Sequence, residues 1–345
     1  MIPGPSRFSP APLSRRQFGR AAFGGASTLL LAARQDPTAG KKSTVALARA
    51  PERKDAFVEA LAPFREVDLA DREIVLKASF NSPDEPPATT SAQMLEAVVS
   101  ELRARRCRSI RLVERSGMGH TREIWDRLGI TPLARRLDLE LVALDELPPD
   151  RWQRAELPGS HWSHGVEVPV LLSGATLVEI CALKTHRFGG HFSASLKNAI
   201  GLIAKYSSDG KRRNYMAELH GSPDQRLMIA EVNALFRPEL VVMDASSIFV
   251  DGGPEQGELA FPNVVLVAQD RVALDAVGVA LLRLHGARTP LDRGSVFELD
   301  QIKRAGELGL GARSFKEVDV SASTDDSRRV AAQVSGILDF EPETK

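Results

Sequence analysis

The sequence predicts an α/β fold, in which helices cover a mostly parallel sheet in Rossmann-like layers. Two observations predict it: apolar runs of strand length alternate with stretches whose apolar residues recur at helical spacing, and polar segments follow several of the runs. The chain has 345 residues, and a removable leader would leave about 310. That length suits one large domain, or two α/β lobes with the site between them.

The first half of the chain carries four predicted strands and three predicted helices. The strands are the apolar runs 44–49, 73–77, 109–113 and 139–144. The helices are predicted at 54–64, at 90–105 and from Thr121 through Leu128. Thr90 or Ser91 can cap the second helix, because either side-chain oxygen can accept a bond from a free N–H group of its first turn.

The second half continues the pattern after an aperiodic connection, 148–165, that is rich in Pro, Trp and His. Run 166–172 predicts an edge strand, since Pro169 cannot donate a hydrogen bond to a neighbouring strand. The remaining strands are predicted at 175–183, 240–243 and 263–268, and the helices at 224–236 and 270–285. Residues 39–325 are thus predicted to form the α/β domain, with 326–345 as a peripheral C-terminal tail.

The N-terminus, residues 1–38, predicts a signal peptide and linker for twin-arginine export. Arg15 and Arg16 are followed by Phe18 and then by a mildly apolar stretch, 21–33, in the order of a twin-arginine signal. The stretch is too short and too rich in glycine for a membrane-spanning helix, and it lacks the terminal cysteine of a lipoprotein. We therefore expect the twin-arginine translocase as a partner, a periplasmic or extracytoplasmic location, and no membrane anchor after cleavage. A disordered basic tail is the alternative.

Composition and charge narrow the class of function. The chain carries 45 basic and 45 acidic residues, without the basic excess expected of a nucleic-acid-binding protein, so no nucleic-acid partner is predicted. Its two cysteines, Cys107 and Cys181, provide neither a disulfide framework nor the four-cysteine motif of an iron–sulfur cluster. Because twin-arginine export often serves proteins that acquire a cofactor before export, a metal or metal-containing cofactor of unknown identity stays an open alternative.

The segment 183–201 holds the main concentration of candidate site residues. It follows the buried strand 175–183, and cationic or hydrogen-bonding side chains at such a strand end suit an anion or a cofactor. We predict catalytic roles for Lys184, His186 and His191. Either histidine can move a proton near neutral pH, and a buried lysine can bind an anion or form a covalent link.

The same segment supplies five predicted ligand contacts. They are Gly189, Gly190, Ser195, Lys197 and Asn198. A helix that starts at His191 would place Ser195 and Asn198 on one face. The alternative for the whole cluster is a structural network of capping groups and salt bridges.

Two earlier loops and one later turn supply further predicted ligand contacts. The loop after strand 73–77 offers Lys77, Ser79 and Asn81 at the strand end where ligands collect in open α/β sheets, although a polar turn is the alternative. The loop after strand 109–113 offers Ser116, Gly117 and Gly119, whose glycines let the backbone approach a ligand or serve only for packing. Asp251 can supply a carboxylate, but Asp-Gly-Gly-Pro is also an ordinary tight turn.

Several segments together resemble the domain-of-unknown-function family numbered 362. They are 77–84, 114–119, 183–186, 195–198, 250–254 and 270–278. The resemblance implies no settled activity, and many members look fused to a cysteine-rich, ferredoxin-like module whose cysteines this chain lacks. A more distant similarity is to the nickel-pincer lactate racemase family, which implies a nickel pincer nucleotide held by a lysine and histidines. It rests on Lys184, His186, Gly189, Gly190 and Lys197.

Two functions follow as hypotheses. The first is an exported enzyme acting on a small anionic ligand, an isomerase or an oxidoreductase, in which lysines hold the anion and a histidine moves a proton. The second is a non-catalytic periplasmic binding or accessory protein for a cofactor or a redox partner. A serine hydrolase is disfavoured, because the sequence has no G-x-S-x-G motif.

Overall fold

In the part of the chain that the structure describes, ten strands form one sheet and two more form a separate hairpin. The computed structural model describes residues 42–288 and 290–340. In chain order the strands are β1 (Ser43–Arg49), β2 (Glu73–Lys77), β3 (Ser109–Glu114), β4 (Glu140–Ala143), β5 (Trp152–Ala155), β6 (Val166–Pro169), β7 (Thr176–His186), β8 (His191–Ser193), β9 (Pro238–Gly252), β10 (Gly257–Ala260), β11 (Val264–Ala268) and β12 (Val318–Ser321).

The large sheet is mostly parallel, which confirms the predicted α/β fold. Its main path has the order β12-β1-β11-β9-β7-β2-β3-β4, with β10 paired to β9 and β8 paired to β7. The pairs from β9 through β4 are parallel, as is β1 with β12, whereas β11 runs antiparallel to both β1 and β9. The described residues share this one continuous sheet, so they do not form the two separate α/β lobes that were the predicted alternative.

Ten α-helices accompany the strands in the described residues. They are α1 (Arg53–Leu61), α2 (Ala92–Ala104), α3 (Thr121–Arg127), α4 (Ile130–Arg136), α5 (Ser195–Asn198), α6 (Tyr215–Gly221), α7 (Gln225–Val232), α8 (Arg271–Leu284), α9 (Asp300–Glu307) and α10 (Asp325–Leu338). Ser91 caps α2 as predicted, accepting a bond from Met94 N. None of the helices in residues 42–288 and 290–340 is both long and apolar enough to cross a membrane.

Two apolar layers flank the sheet, because successive strand residues point to opposite faces. In β11, Val265 and Val267 belong to the layer with α1 to α4. Their neighbours Val264 and Leu266 belong to the layer with α5 to α10. In the second layer α8 is buried on all sides, since α5, α9, α10 and several strands surround it.

Two strands extend beyond their predicted ends. β7 continues past Leu183 to His186, because β8 folds back and pairs with its last residues. β9 continues past Met243 to Gly252, because β10 pairs with it there. Lys184 therefore lies within a paired strand rather than in a loop, and its backbone is held on both sides.

His191 does not begin a helix, so the predicted helical alignment of Ser195 and Asn198 with it is wrong. His191 lies in β8 opposite His186, with a left-handed backbone of φ 59°. Helix α5 begins only at Ser195. Its start is fixed by Asp275 of α8, whose carboxylate accepts hydrogen bonds from Ser195 N and Leu196 N at 2.8 and 2.9 Å.

The C-terminal region also differs from its prediction. Helix α10 packs against β1 and α8 and buries Val330, Val334 and Leu338. Ser327 is fully buried, and its hydroxyl accepts a bond from Arg49 N of β1 at 2.9 Å. Residues 326–338 therefore belong to the second helical layer rather than to a peripheral tail. The predicted signal, 1–38, lies outside the described residues.

Candidate functional site

A cavity of about 730 Å³ opens at the carboxyl ends of β2, β3 and β7. This is the edge of a parallel sheet at which ligands collect in open α/β folds. Lys77 is the last residue of β2 and Glu114 the last residue of β3. Lys184 and His186 lie among the last three residues of β7, and both line the cavity. Residues of α5, α6 and α7, together with the 3-10 segment Ala199–Leu202, form the opposite wall.

The structure brings nine of the predicted site residues to the wall of this cavity. They are Lys77, Ser79, Asn81, Gly117, Lys184, His186, Gly189, Lys197 and Asn198. Three loops that are far apart in the sequence therefore contribute to one site, because the strands that precede them are neighbours in the sheet. Their roles as ligand contacts or catalysts stay predictions.

Lys77 is the centre of a buried ion pair. Its Nζ lies 2.9 Å from Glu114 Oε2, and it also donates to Asn198 Oδ1 at 2.8 Å and to the Ala78 carbonyl. Glu114 in turn accepts bonds from Phe80 N and Arg115 N. All three N–H groups of Lys77 are therefore engaged, so this residue organises the strand ends rather than presenting free donors.

Gly201 lets the 3-10 segment approach this ion pair. A Cβ atom at position 201 would lie 2.4 Å from Glu114 Oε1 and 2.7 Å from Lys77 Cε. Both distances are shorter than any ordinary contact, and both atoms belong to side chains fixed by several bonds. A glycine is therefore required here for the opposite wall of the cavity to close on the strand ends.

A second buried ion pair supports the floor of the site. Arg271 of α8 pairs with Glu179 of β7, and both side chains are almost fully buried. Glu179 also accepts bonds from Ser195 Oγ at 2.8 Å and from Asn198 Nδ2 at 3.1 Å. Since Asn198 bonds both Glu179 and Lys77, it joins the two ion pairs. Ser195 is therefore buried beneath the cavity and does not line it.

Lys184 is a buried lysine without a carboxylate partner among the described residues. It is 3% exposed, and its Nζ donates one hydrogen bond, to the Ala182 carbonyl at 3.2 Å. Burial, together with the nearby charges of Lys197 and Lys77, lowers the pKa of Lys184 to about 7, although Cys181 and Asp244 act in the opposite direction. Near neutral pH a substantial fraction of Lys184 is therefore an uncharged amine.

Lys197 and His186 line the same cavity. Burial lowers the pKa of Lys197 to about 8, and no side chain in the described residues accepts a hydrogen bond from its Nζ. Burial, with the charges of Lys197 and Lys184, lowers the pKa of His186 to about 2. His186 is therefore neutral at physiological pH, and its buried Nδ1 has no hydrogen-bond partner within the described part of the chain.

Arg115 adds a third cation that lacks a carboxylate contact in the described residues. Its Nε and Nη2 donate to the carbonyls of Ile203 and Ile200, but its buried Nη1 has no partner there. Burial lowers the pKa of the Arg115 guanidinium, although the group stays charged at any physiological pH. Among the described residues lining the cavity, Glu114 alone carries a carboxylate, and Lys77 pairs with it. The cavity is therefore strongly positive.

The outer part of the cavity is formed by α6 and α7. Arg226 donates to Asp300 at 2.7 Å and to the Gly189 carbonyl at 3.1 Å, which ties the β7–β8 turn to α7. Gln225 Nε2 lies 2.9 Å from His220 Nδ1, and burial lowers the pKa of His220. Phe188, about half exposed, marks the opening.

Six predicted site residues do not line the cavity. Besides Ser195, Ser116 is buried and donates to the Phe80 carbonyl, and Gly119 packs beside Ile124. Asp251 is exposed at the β9–β10 turn, and its side chain accepts a hydrogen bond from Gly252 N. This arrangement agrees with the predicted alternative of an ordinary tight turn.

The other two of the six lie behind the wall. Gly190 backs onto Lys197 and His186, since a Cβ there would lie 3.0 Å from Lys197 Cε. The side chain of His191 is close to Arg226 and Asp300, and its pKa is lowered mainly by burial. Gly190 thus supports two wall residues, and His191 faces the ion pair of α7 and α9.

Several residues of the cavity were not among the ligand contacts predicted from the sequence. Glu114 and Arg115 follow directly after the apolar run 109–113, so the strand-end rule that selected Lys77 would have selected them too. Gly201 and Arg226 carried no such signal, because their place depends on how the 3-10 segment and α7 pack over the sheet.

The described side chains that line the cavity do not provide the ligand set of a protein-held metal ion. Within residues 42–288 and 290–340, no group of three or more His, Cys, Asp or Glu side chains is placed to hold a metal ion. Lys184, His186 and Lys197, on which the similarity to the nickel-pincer family rests, line the same cavity, and that similarity stays a prediction.

Comparisons with known proteins identify one family. The family described as Domain of unknown function (DUF362) matches residues 74–280, more than half of the chain. This range contains the strand ends, the cavity walls and most of α8. No curated protein matches the chain, and no solved structure does.

Proposed function

Because the chain belongs to the family described as Domain of unknown function (DUF362), a description that names no activity, we propose a function from the cavity itself: it binds a small organic anion. One observation carries the proposal. Lys184, Lys197 and Arg115 face one cavity, and none of them pairs with a carboxylate in the described residues. A charge held out of water without a counter-charge is costly, and a bound anion would offset that cost.

The position of the cations within the fold supports the same conclusion. Lys184 is held in a strand paired on both sides, and Arg115 is fixed through two backbone carbonyls. Both are therefore ordered before a ligand arrives, so little conformational entropy is lost on binding. A cavity of about 730 Å³ is of the size that holds a small organic molecule rather than a polymer.

His186 favours proton transfer as the chemistry of the site. Without a bound anion, a pKa of about 2 makes His186 too weak a base to take a proton from a ligand at neutral pH. A bound anion would raise that pKa by offsetting the charges of Lys197 and Lys184, and the unpartnered Nδ1 could then accept a proton. An isomerase that removes and returns a proton is therefore the favoured enzyme class. An oxidoreductase would need a redox cofactor in the same cavity. A non-catalytic binding or accessory protein is the alternative, and it would use the same cations without turnover.

Binding of small anions tests this proposal. We expect calorimetric titration of the purified protein near pH 7 to detect binding of at least one of pyruvate, acetate and inorganic phosphate. Replacing Lys197 with methionine keeps the length of the side chain but removes its charge. We expect Lys197→Met to weaken binding by about tenfold to a hundredfold, the usual effect of one charge-assisted hydrogen bond.

The matched control is Lys54→Met, since Lys54 is exposed on α1 and lies outside the cavity. We expect this variant to bind as the unchanged protein does. Binding should also weaken as the pH rises above about 8, because Lys197 and Lys184 lose their protons there. If no anion binds, or if Lys54→Met and Lys197→Met lose affinity equally, the proposal fails.

Export through the twin-arginine route is the second part of the proposal. It is supported by Arg15, Arg16 and Phe18 and by the apolar stretch that follows them. We expect the full chain, expressed in a bacterium with this route, to accumulate outside the cytoplasm. The double change Arg15→Lys, Arg16→Lys keeps both charges and should hold the protein in the cytoplasm. Equal fractionation of the two forms would contradict export by this route.

A further inference from the structure

Lys184 differs from the other cavity lysines in what surrounds its amine. Lys77 donates to three acceptors, and Lys197 is partly open to the cavity. Lys184 is almost fully buried, lines the cavity, and donates only to the Ala182 carbonyl within the described residues. Its amine therefore retains hydrogens and, when neutral, a lone pair that no neighbour engages.

The backbone at Lys184 is paired on both sides and carries a local irregularity in its pairing with β9. Lys184 pairs with Ser193 of β8 on one side, and the register with β9 shifts between Ala182 and Lys184 on the other. Such irregularities redirect side chains and recur next to active sites. The backbone that carries Lys184 is thus held on both sides, and Arg115 and Lys197 line the same cavity as its side chain.

We propose that Lys184 forms an imine with the carbonyl carbon of a small 2-oxo acid whose carboxylate is held by Arg115 and Lys197. The inference rests on the proposed anion-binding function and names the substrate class for it. A 2-oxo acid carries a carboxylate directly beside a ketone, so a ligand anchored by the two cations presents its carbonyl within the same small cavity. A buried, partly neutral amine is the nucleophile that such chemistry requires.

The step balances without an oxidant or a reductant. The Lys184 lone pair forms a C–N bond, the carbonyl π electrons move to oxygen, and a proton passes from nitrogen to that oxygen to give a carbinolamine. The C–O bond then breaks, water leaves, and a C=N bond forms. In the protonated imine the C3–H bond is acidified, so that a proton is lost from C3 to water and is returned when the resulting enamine is protonated. Hydrolysis of the imine regenerates the lysine and releases the 2-oxo acid.

Trapping of the imine tests the inference. The protein is incubated with pyruvate near pH 7, treated with sodium cyanoborohydride, and measured by intact mass and peptide mapping. We expect one adduct at Lys184, with the added mass of pyruvic acid less one oxygen atom. The adduct should be absent from Lys184→Met, reduced at least tenfold in Lys197→Met, and unchanged in Lys54→Met. In deuterated water, unreduced mixtures should exchange the C3 hydrogens of pyruvate faster with the protein than with Lys184→Met.

The outcomes separate this inference from the anion-binding proposal. If pyruvate binds in the calorimeter but no adduct maps to Lys184, the imine is overturned and anion binding stands. If neither pyruvate nor any other anion binds, both fail. Adducts spread over surface lysines, or an equal yield in Lys184→Met, would also overturn the imine. Because mapping is done on the unchanged protein, the result does not depend on how any variant folds.

Discussion

Lys184→Met is expected to make the protein more stable near pH 6, although it removes a central residue of the cavity. The pKa of Lys184 falls from 10.5 to about 7 in the folded protein. Each pKa unit between the folded and unfolded states corresponds to about 1.4 kcal/mol, which sets an upper limit of roughly 5 kcal/mol on the cost of burying this charge. Methionine fills a similar volume without charge, so we expect a gain of about 2–4 kcal/mol.

The pH dependence of this gain has a definite sign. Between pH 7 and 10.5 the unfolded chain holds a proton on Lys184 that the folded protein has released. The stability of the unchanged protein therefore rises with pH across this window, and the full cost of the buried charge is present below pH 7. The advantage of Lys184→Met should thus be largest near pH 6 and nearly absent near pH 10.

Urea denaturation of both proteins at the two pH values measures the effect. Lys54→Met is the control, and its stability should lie within about 0.5 kcal/mol of the unchanged protein, because Lys54 is exposed. A Lys184→Met variant that is less stable than the unchanged protein near pH 6 would show that the lysine is held by interactions stronger than its desolvation. A saturating anion should narrow this difference in stability, because it binds more tightly to the protein that keeps Lys184 than to the variant.

The second large effect is expected at the ion pair between Lys77 and Glu114. Lys77→Met leaves the Glu114 carboxylate buried without its cation, and removal of one partner of a buried pair costs about 3–5 kcal/mol. The double variant Lys77→Met, Glu114→Gln removes both charges while keeping the shape of the carboxylate side chain. We expect the double variant to be more stable than Lys77→Met alone.

An exposed ion pair provides the contrast. Arg122 and Glu146 are in contact, but about half of each side chain faces solvent. Arg122→Met should therefore cost under about 1 kcal/mol. Thermal or urea unfolding of the three variants gives the comparison. Similar losses in Arg122→Met and Lys77→Met would mean that burial does not decide the strength of these pairs.

The sequence predicted which strand ends would carry the site because that information is local. An apolar run followed by polar residues marks where a parallel strand reaches the edge of the sheet, and Lys77, Lys184 and Asn81 were selected in this way. What brings them together is the adjacency of β7, β2 and β3. Parallel neighbours in such folds follow common rules, so the common edge could be expected without knowledge of the exact strand order.

The start of helix α5 was predicted wrongly because it depends on contacts that the local sequence does not show. His191 precedes Ser195 at a spacing that suits a helix, but β8 pairs with the end of β7 and takes His191 into the sheet. Asp275, which fixes the true start of α5, lies 80 residues further along the chain. No local sequence pattern predicts that Asp275, a carboxylate in the apolar helix α8, accepts hydrogen bonds from the first residues of α5.

Arg115 was missed for a different reason. Arginines are rarely buried unless paired, so an arginine in a loop reads as exposed. Here the guanidinium is 2% exposed and is satisfied largely by the carbonyls of Ile200 and Ile203. Those carbonyls become available only because the segment that contains Gly201 approaches the strand ends. The basic character of the cavity is therefore a property of the assembled wall.

The place of β1 between β11 and β12 sets an order for the making of this protein. After the ribosome has made β1, it must add roughly 200 more residues before β11, the first neighbour of β1, has been made. The second neighbour, β12, follows later still. At ordinary rates of synthesis this interval lasts on the order of ten seconds or more. The strands β2, β3 and β4 with helices α2 to α4 are complete well before then. Early in synthesis the nascent chain therefore holds three adjacent strands of the sheet, while β1 stays apolar and unpaired until β11 has been made.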